Sequence, residues 1–168
     1  MALLLAVPAT AGAVEPATES AAPANAAHPE ARLYDASIDA TEAVDAALAR
    51  AAGRDALVLV AMGANWCHDS RAFAGWMETE RFGQLIADHY ELVFINVGHP
   101  QTADGHNLHI ADRFGIDGID GTPTVLVLSP DGMLLNEETA RSWRNAASRS
   151  EDEIFEELRK FALVRVGT

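Results

Sequence analysis

The sequence has one cysteine, Cys67, within residues 65–70 (NWCHDS), between a strongly apolar run and a segment with helical periodicity. The thiolate of a cysteine is a nucleophile. A helix N-terminus favours that anion, because its unpaired N–H groups and its dipole stabilise negative charge. At a strand-to-helix turn, Cys67 is therefore predicted to be a reactive thiol. We expect Trp66 to shield one side of the sulfur and His68 to tune it.

A lone cysteine has a less specific interpretation as well. Free cysteines are among the most buried residues and usually act as small apolar side chains. The position of Cys67 directly after Trp66, at the predicted turn, favours the reactive thiol. A single cysteine also excludes an intrachain disulfide, iron–sulfur centres and zinc sites built from several cysteines. An unpaired cysteine in an oxidising compartment further predicts a Cys67-linked dimer.

Metal binding is the other chemistry that the residue types raise. His89, His106 and His109 could act as ligands together with Cys67. His106 and His109 are three residues apart and could share a helix face. Because no carboxylate partner is set by the spacing, we expect solvated histidines and no metal.

Hydrophobic patterning predicts the elements that position the thiol. Continuous apolar runs rich in β-branched residues indicate buried strands. The predicted strands cover residues 56–62, 92–97 and 125–128, with an antiparallel return at 133–135 after a turn at 129–132. The predicted helices cover 41–52 with Asp39 as cap and Gly53 as stop, two segments around 73–77 and 79–86, 108–114, and a last helix capped by Ser150 and Glu153. This alternation predicts a parallel sheet with helices on both faces and one antiparallel hairpin at its edge.

The N-terminal part of the chain differs in composition from the rest. Residues 1–13 combine a short apolar run with Ala-Gly-Ala, and are predicted to be the remnant of a secretory signal whose start lies upstream of Met1. Residues 14–32 are rich in alanine and proline and are predicted to be a linker. The folded domain is then expected at 33–168, in an exported protein that is periplasmic or secreted.

Charge and hydropathy exclude several classes of partner. The chain has 25 acidic and 12 basic residues, for a net charge of −13. Nucleic acids and anionic membrane surfaces attract clustered Lys and Arg, so neither is an expected partner. No apolar run approaches the roughly 20 residues that a membrane span needs.

Two short motifs give the sequence a family resemblance. Residues 66–70 (WCHDS) after a buried strand and residues 121–124 (GTPT) before the hairpin resemble the WCxxC and cis-proline motifs of the thioredoxin superfamily. The resemblance extends over about 33–163 and is closest to bacterial thioredoxin-like proteins. It implies an α/β thioredoxin-like fold with a central mixed sheet and helices on both faces. It also implies that Cys67 is the attacking thiol and that the Thr122–Pro123 peptide, with a cis-proline, binds a substrate strand.

The chain departs from the family pattern at two positions. Ser70 replaces the second, resolving cysteine, so the motif is a monothiol WCxxS, and Ala61 replaces a buried acid. We therefore expect Cys67 to form mixed disulfides with a protein or peptide disulfide, in isomerase-like or glutathione-dependent exchange. Ser70 is expected to hydrogen-bond the sulfur. No cofactor is expected, and glutathione or another small thiol would be a co-substrate.

The main alternative is a redox-inactive binding module. In that case the cis-proline groove would recognise an extended peptide while the thiol does no chemistry. A further open point concerns Trp143, which lies among Arg141, Arg144 and Arg149. An exposed tryptophan among arginines can mark a contact surface, but a packed Trp143 that anchors a long loop is the preferred interpretation.

Overall fold

The computed structural model describes residues 28–164, so the predicted signal at 1–13 and residues 14–27 of the predicted linker lie outside the described residues. The strands are β1 (Leu57–Gly63), β2 (Tyr90–Asn96) and β3 (Thr124–Leu128). The α-helices are α1 (Ala40–Arg54), α2 (His68–Met77), α3 (Glu80–His89), α4 (His109–Arg113) and α5 (Glu151–Val164), and a 3₁₀ segment covers Ser142–Ser148. The predicted helices and the three longer predicted strands are present among these with shifted boundaries, whereas the predicted return at 133–135 forms a single antiparallel bridge and no regular strand.

The strand order in the sheet is β2-β1-β3, with β1 parallel to β2 and antiparallel to β3. The prediction of a parallel sheet is therefore wrong for β3, whereas the mixed sheet implied by the family resemblance is confirmed. The helix between β2 and β3 is α4, whose five residues rise about 7.5 Å, whereas a seven-residue strand is about 23 Å long. α4 therefore does not carry the chain back along the sheet as a crossover helix would, and the chain enters β3 from the carboxyl ends of β1 and β2.

Alternating side chains of β1 divide the core into two layers. Val58, Val60 and Met62 pack in a cluster with α1 and α4. Leu57 and Leu59 pack on the opposite face, with residues of α2, α3 and α5. Helices therefore cover both faces, as expected. All seven residues of central β1 are buried, while β2 alternates between buried and half-buried positions. No helix between residues 28 and 164 is long and apolar enough to cross a membrane.

Local capping explains most of the helix boundaries. The carboxylate of Asp39 accepts a hydrogen bond from Glu42 N at 2.9 Å and caps α1. Ser150 and Glu153 form the predicted capping box at α5, each bonding the other's backbone N–H. The predicted stop at Gly53 is wrong. The helix continues to Arg54, and Asp55 takes the left-handed conformation with φ of 53°.

The chain that leaves β3 pairs back onto it mostly without a regular strand. Gly132 N donates to Ser129 O at 2.9 Å in the predicted turn, and Leu134 forms a single antiparallel bridge with Leu128. The buried side-chain amide of Asn136 then makes the backbone hydrogen bonds that a neighbouring strand would make to β3. Its Oδ1 accepts from Val127 N and its Nδ2 donates to Val125 O, both at 2.8 Å.

Replacing Asn136 tests how much this side chain stabilises the outer edge of β3. Asn136→Ala leaves the N–H of Val127 and the C=O of Val125 without these buried partners, and each such loss costs about 1–3 kcal/mol. We expect the free energy of unfolding in a denaturant titration to fall by about 2–4 kcal/mol. The exposed Asn145→Ala is the matched control and should change it by less than about 0.5 kcal/mol. Equal effects of the two substitutions would contradict this role.

Candidate functional site

The sheet topology brings the two sequence motifs together. After β1, a tight turn in which Cys67 N donates to Ala64 O at 3.1 Å leads into α2, with Cys67 at the N-cap position. Because β1 and β3 are antiparallel, Met62 near the end of β1 lies opposite Thr124 at the start of β3. The residues just after β1 and just before β3 therefore meet at one edge of the sheet.

The sulfur of Cys67 lies against the backbone of the second motif. Its thiol donates a hydrogen bond to the carbonyl oxygen of Thr122 at 3.3 Å. The Thr122–Pro123 peptide bond is cis. Cys67 is only 8% exposed and Thr122 only 6%. The site thus consists of one largely covered thiol at a helix N-terminus, in contact with the carbonyl that precedes Pro123.

Ser70 is one turn further along α2 and is completely buried. Its Oγ accepts a hydrogen bond from Ala64 N at 3.4 Å, so its hydroxyl supports the turn beneath the site. The thiol of Cys67 bonds Thr122 instead. The prediction that Ser70 hydrogen-bonds the sulfur is therefore wrong in this structure, because Ser70 Oγ contacts Ala64 N while the thiol donates to Thr122 O.

Trp66 forms an exposed platform beside the thiol. Its side chain is 48% exposed, and its Nε1 donates to Gly98 O at 2.8 Å. Its ring stacks on His99, with centroids 4.6 Å apart and planes 7° apart. These contacts join the turn before α2 to the loop after β2, and about half of the side chain stays exposed.

His68 faces the N-terminal segment of the domain. Its Nε2 lies 3.0 Å from Glu30 Oε1, and its ring packs against that of His28 at 4.7 Å between centroids. The second carboxylate oxygen of Glu30 accepts from Arg71 Nε at 2.8 Å. The hydrogen bond from Arg71 holds the pKa of Glu30 below its usual value. His68 is therefore paired with a carboxylate, which the sequence did not indicate.

Residues 28–32, predicted as linker, instead pack on the domain. Ala31 N donates to Arg71 O at 3.0 Å, and Arg32 Nη1 donates to Asn65 O at 3.0 Å. The packed domain thus includes residues 28–32, which composition alone assigned to the linker. Polar backbone contacts of this kind leave no hydrophobic pattern, which is why composition alone suggested a linker.

Tyr34 is a buried residue of the site that the sequence reasoning missed. Its backbone N–H and C=O pair with the side chain of Asn65, at 3.2 and 2.9 Å. Its hydroxyl donates to Ser70 O at 3.3 Å, and burial raises its pKa above the ordinary value. Tyr34 therefore supports both the turn before Cys67 and the first turn of α2. The apolar pair Leu33-Tyr34 is the sequence feature that could have indicated a buried residue here.

The arginine-rich segment before α5 holds the other side of the site. Trp143 is fully buried against Phe73, so the packed anchor is confirmed and the contact surface is wrong. Arg141 Nη2 donates to Asp117 O at 2.7 Å, and Arg144 Nη1 lies 3.1 Å from Asp120 Oδ1. These contacts fasten the loop that leads to Thr122 and Pro123.

Two of the three histidines considered as ligands, His106 and His109, bond other side chains. His109 Nε2 bonds Thr41 Oγ1 and His106 Nε2 bonds Asn96 Oδ1, both at 3.0 Å. Within residues 28–164, no group of three or more metal-ligating side chains includes His89, His106, His109 or Cys67.

Comparison with known proteins identifies the family. A profile described as thioredoxin-like matches residues 39–130, more than half of the chain. The chain therefore belongs to the thioredoxin-like family. It is similar to a solved structure, a disulphide isomerase from Xylella fastidiosa Temecula1, at 32% identity and a TM-score of 0.67. That similarity covers 76% of this chain and 95% of the other. No curated protein matches the chain.

The close contact beneath the turn predicts a requirement for glycine at position 63. A Cβ added there would lie 2.6 Å from Ser70 Oγ and 2.7 Å from the Tyr34 ring. Gly63→Ala should therefore lower the free energy of unfolding by about 1–3 kcal/mol through overpacking.

The matched control is Gly53→Ala, because a Cβ at Gly53 meets nothing within 4 Å and the residue lies in α1. It should raise the free energy of unfolding by about 0.5–1 kcal/mol. Denaturant titrations of both variants measure these changes. Opposite signs are expected, and a Gly63→Ala protein as stable as the parent would contradict the packing described.

Proposed function

We propose that this protein is a monothiol thioredoxin-like protein that carries out thiol–disulfide exchange through Cys67. The observation that carries the proposal is the placement of the sulfur. It lies at the N-terminus of α2, 3.3 Å from the carbonyl oxygen that precedes Pro123. The similarity to a disulphide isomerase supports the same chemistry and protein substrates.

The exchange needs two balanced steps. The Cys67 thiolate attacks one sulfur of a substrate disulfide, a new disulfide bond forms, and the other sulfur leaves as a thiolate. A second thiolate, from the substrate or from glutathione, then attacks this mixed disulfide and releases Cys67. No electrons are gained or lost overall, so the activity is isomerase-like or glutathione-dependent. The hydroxyl of Ser70 cannot take the place of the second thiol.

The surroundings of the sulfur support both binding and attack. When the thiol loses its proton, its hydrogen bond to Thr122 O ends, and the helix N-terminus offers the anion N–H groups and a favourable dipole. The backbone next to Pro123 is then free to pair with an extended substrate strand. The exposed ring of Trp66 adds apolar contact area beside it.

The remaining expectations belong to the same proposal. Exchange of protein disulfides suits an oxidising compartment, so we place the protein in the periplasm or outside the cell. The chemistry needs no bound cofactor, and glutathione or another small thiol would be the co-substrate. A dimer linked through Cys67 remains a prediction, to be tested by electrophoresis with and without reductant.

The second candidate function is a binding module that does no redox chemistry. It is favoured by one observation, the coverage of Cys67, whose thiol already has an acceptor in Thr122. The rate at which a small alkylating agent modifies the native protein at neutral pH separates the two. Modification much slower than that of free cysteine favours the binding module, and faster modification favours exchange.

Loss of the thiol tests the proposal directly. Cys67→Ser should reduce the turnover of a glutathionylated peptide, with reduced glutathione present, to the uncatalysed rate, because no mixed disulfide can form. Denaturation curves of the variant and the parent show whether the fold is retained. Turnover by a folded Cys67→Ser protein at the rate of the parent would contradict the proposal.

A second substitution tests the role of position 70. Ser70→Cys supplies a thiol one helical turn from Cys67, and this thiol should displace a glutathionyl group from Cys67. We expect the adduct formed with oxidised glutathione to be short-lived in this variant, as measured by mass spectrometry. Ser70→Ala is the matched control and should keep the adduct as long as the parent, since neither side chain can attack. An equally long-lived adduct in Ser70→Cys would contradict this account.

A further inference from the structure

Three side chains next to the thiol, which the exchange reaction does not use, converge on one point. These are His28 and Glu30 of the N-terminal segment and His68 of α2. One ligand atom of each lies within 4.8 Å of the others. His68 Nε2 and Glu30 Oε1 are 3.0 Å apart, and the two imidazole rings are 4.7 Å apart. Two imidazoles and a carboxylate are a donor set that zinc prefers.

The spacing suits a tetrahedral ion. Zn–N bonds of 2.0–2.1 Å and Zn–O bonds of 2.0–2.2 Å place neighbouring ligand atoms about 3.3 Å apart. The 3.0 Å separation of His68 Nε2 and Glu30 Oε1 is close to that value. The ligand atom of half-buried His28 lies within 4.8 Å of the other two, so an ion between the three side chains would draw it closer.

The ligands are held by contacts that do not depend on a metal. His28 Nδ1 lies 3.3 Å from Pro29 O, which suits a proton on Nδ1 and leaves Nε2 as the ligand atom. The second oxygen of Glu30 is bound by Arg71 at 2.8 Å, an outer contact of the kind that orients metal ligands. Pro29 packs so closely on Gly75 that a Cβ there would lie 2.3 Å from its carbonyl oxygen.

We propose that His28, Glu30 and His68 form a binding site for a divalent transition metal, Zn²⁺, with water in the fourth position. The ion joins the N-terminal segment to the first residue of α2, directly after Cys67. None of the three ligands forms or breaks a bond in the two exchange steps, so the site can be tested through metal binding alone.

The test is a titration of the metal-free protein with Zn²⁺ in competition with a chromogenic chelator. One ion should bind per chain with a dissociation constant in the micromolar range or below. His28→Ala should weaken binding at least tenfold, because it removes one of three ligands. His89→Ala, a histidine at the end of α3 outside the cluster, is the matched control and should bind as the parent does. Binding only in the millimolar range, or equal binding by His28→Ala and the parent, overturns the proposal.

A second comparison separates this site from metal capture by the thiol. Cys67→Ser should keep the same affinity for Zn²⁺, and should also gain thermal stability on adding Zn²⁺, as the parent does and His28→Ala does not. Loss of binding in Cys67→Ser with retention in His28→Ala assigns the ion to the thiol and overturns the proposal. Because the readouts are affinity and melting temperature, failure of the exchange reaction would leave this result unaffected.

Discussion

The hydrogen bond from the Cys67 thiol to the carbonyl of Thr122 joins residues 55 positions apart in the chain. It depends on the antiparallel pairing of β1 with β3, since a parallel β3 would place Thr122 at the opposite end of the sheet. That pairing in turn reflects the connection between β2 and β3, which contains the five-residue helix α4 and returns to the carboxyl ends of β1 and β2. The topology therefore determines which backbone group meets the thiol, and the chemistry proposed for Cys67 requires that meeting.

Two segments outside the sheet hold this arrangement in place. On one side, Tyr34 pairs with Asn65 through its backbone and with Ser70 through its hydroxyl, and so supports the turn from below. On the other side, Arg141 and Arg144 fasten the loop before Thr122. In both segments, these hydrogen bonds and ion pairs are made to backbone and loop groups and not to the sulfur. They position the site, and substitutions in them should act through geometry rather than through the reacting atoms.

Whereas the mixed sheet was implied only by the family resemblance, the sequence predicted the thiol and its place at a helix N-terminus from apolar runs and the Trp66-Cys67 motif. It did not predict the direction of β3, since alternation of helices and strands does not report how far a connection travels. The sequence also did not predict the hydrogen bond that Ser70 makes or the packing of residues 28–32. A hydroxyl has several acceptors and donors within reach, and segments bound through backbone contacts carry no periodicity.

The account rests on Cys67 forming covalent intermediates with other thiols. The most direct measurement is mass spectrometry of the intact protein, isolated without reductant from the compartment in which it resides. The account predicts a fraction carrying a glutathionyl group or a peptide on Cys67, which a thiol reductant removes. A chain recovered entirely as the unmodified thiol, and still unmodified after incubation with oxidised glutathione, would contradict it.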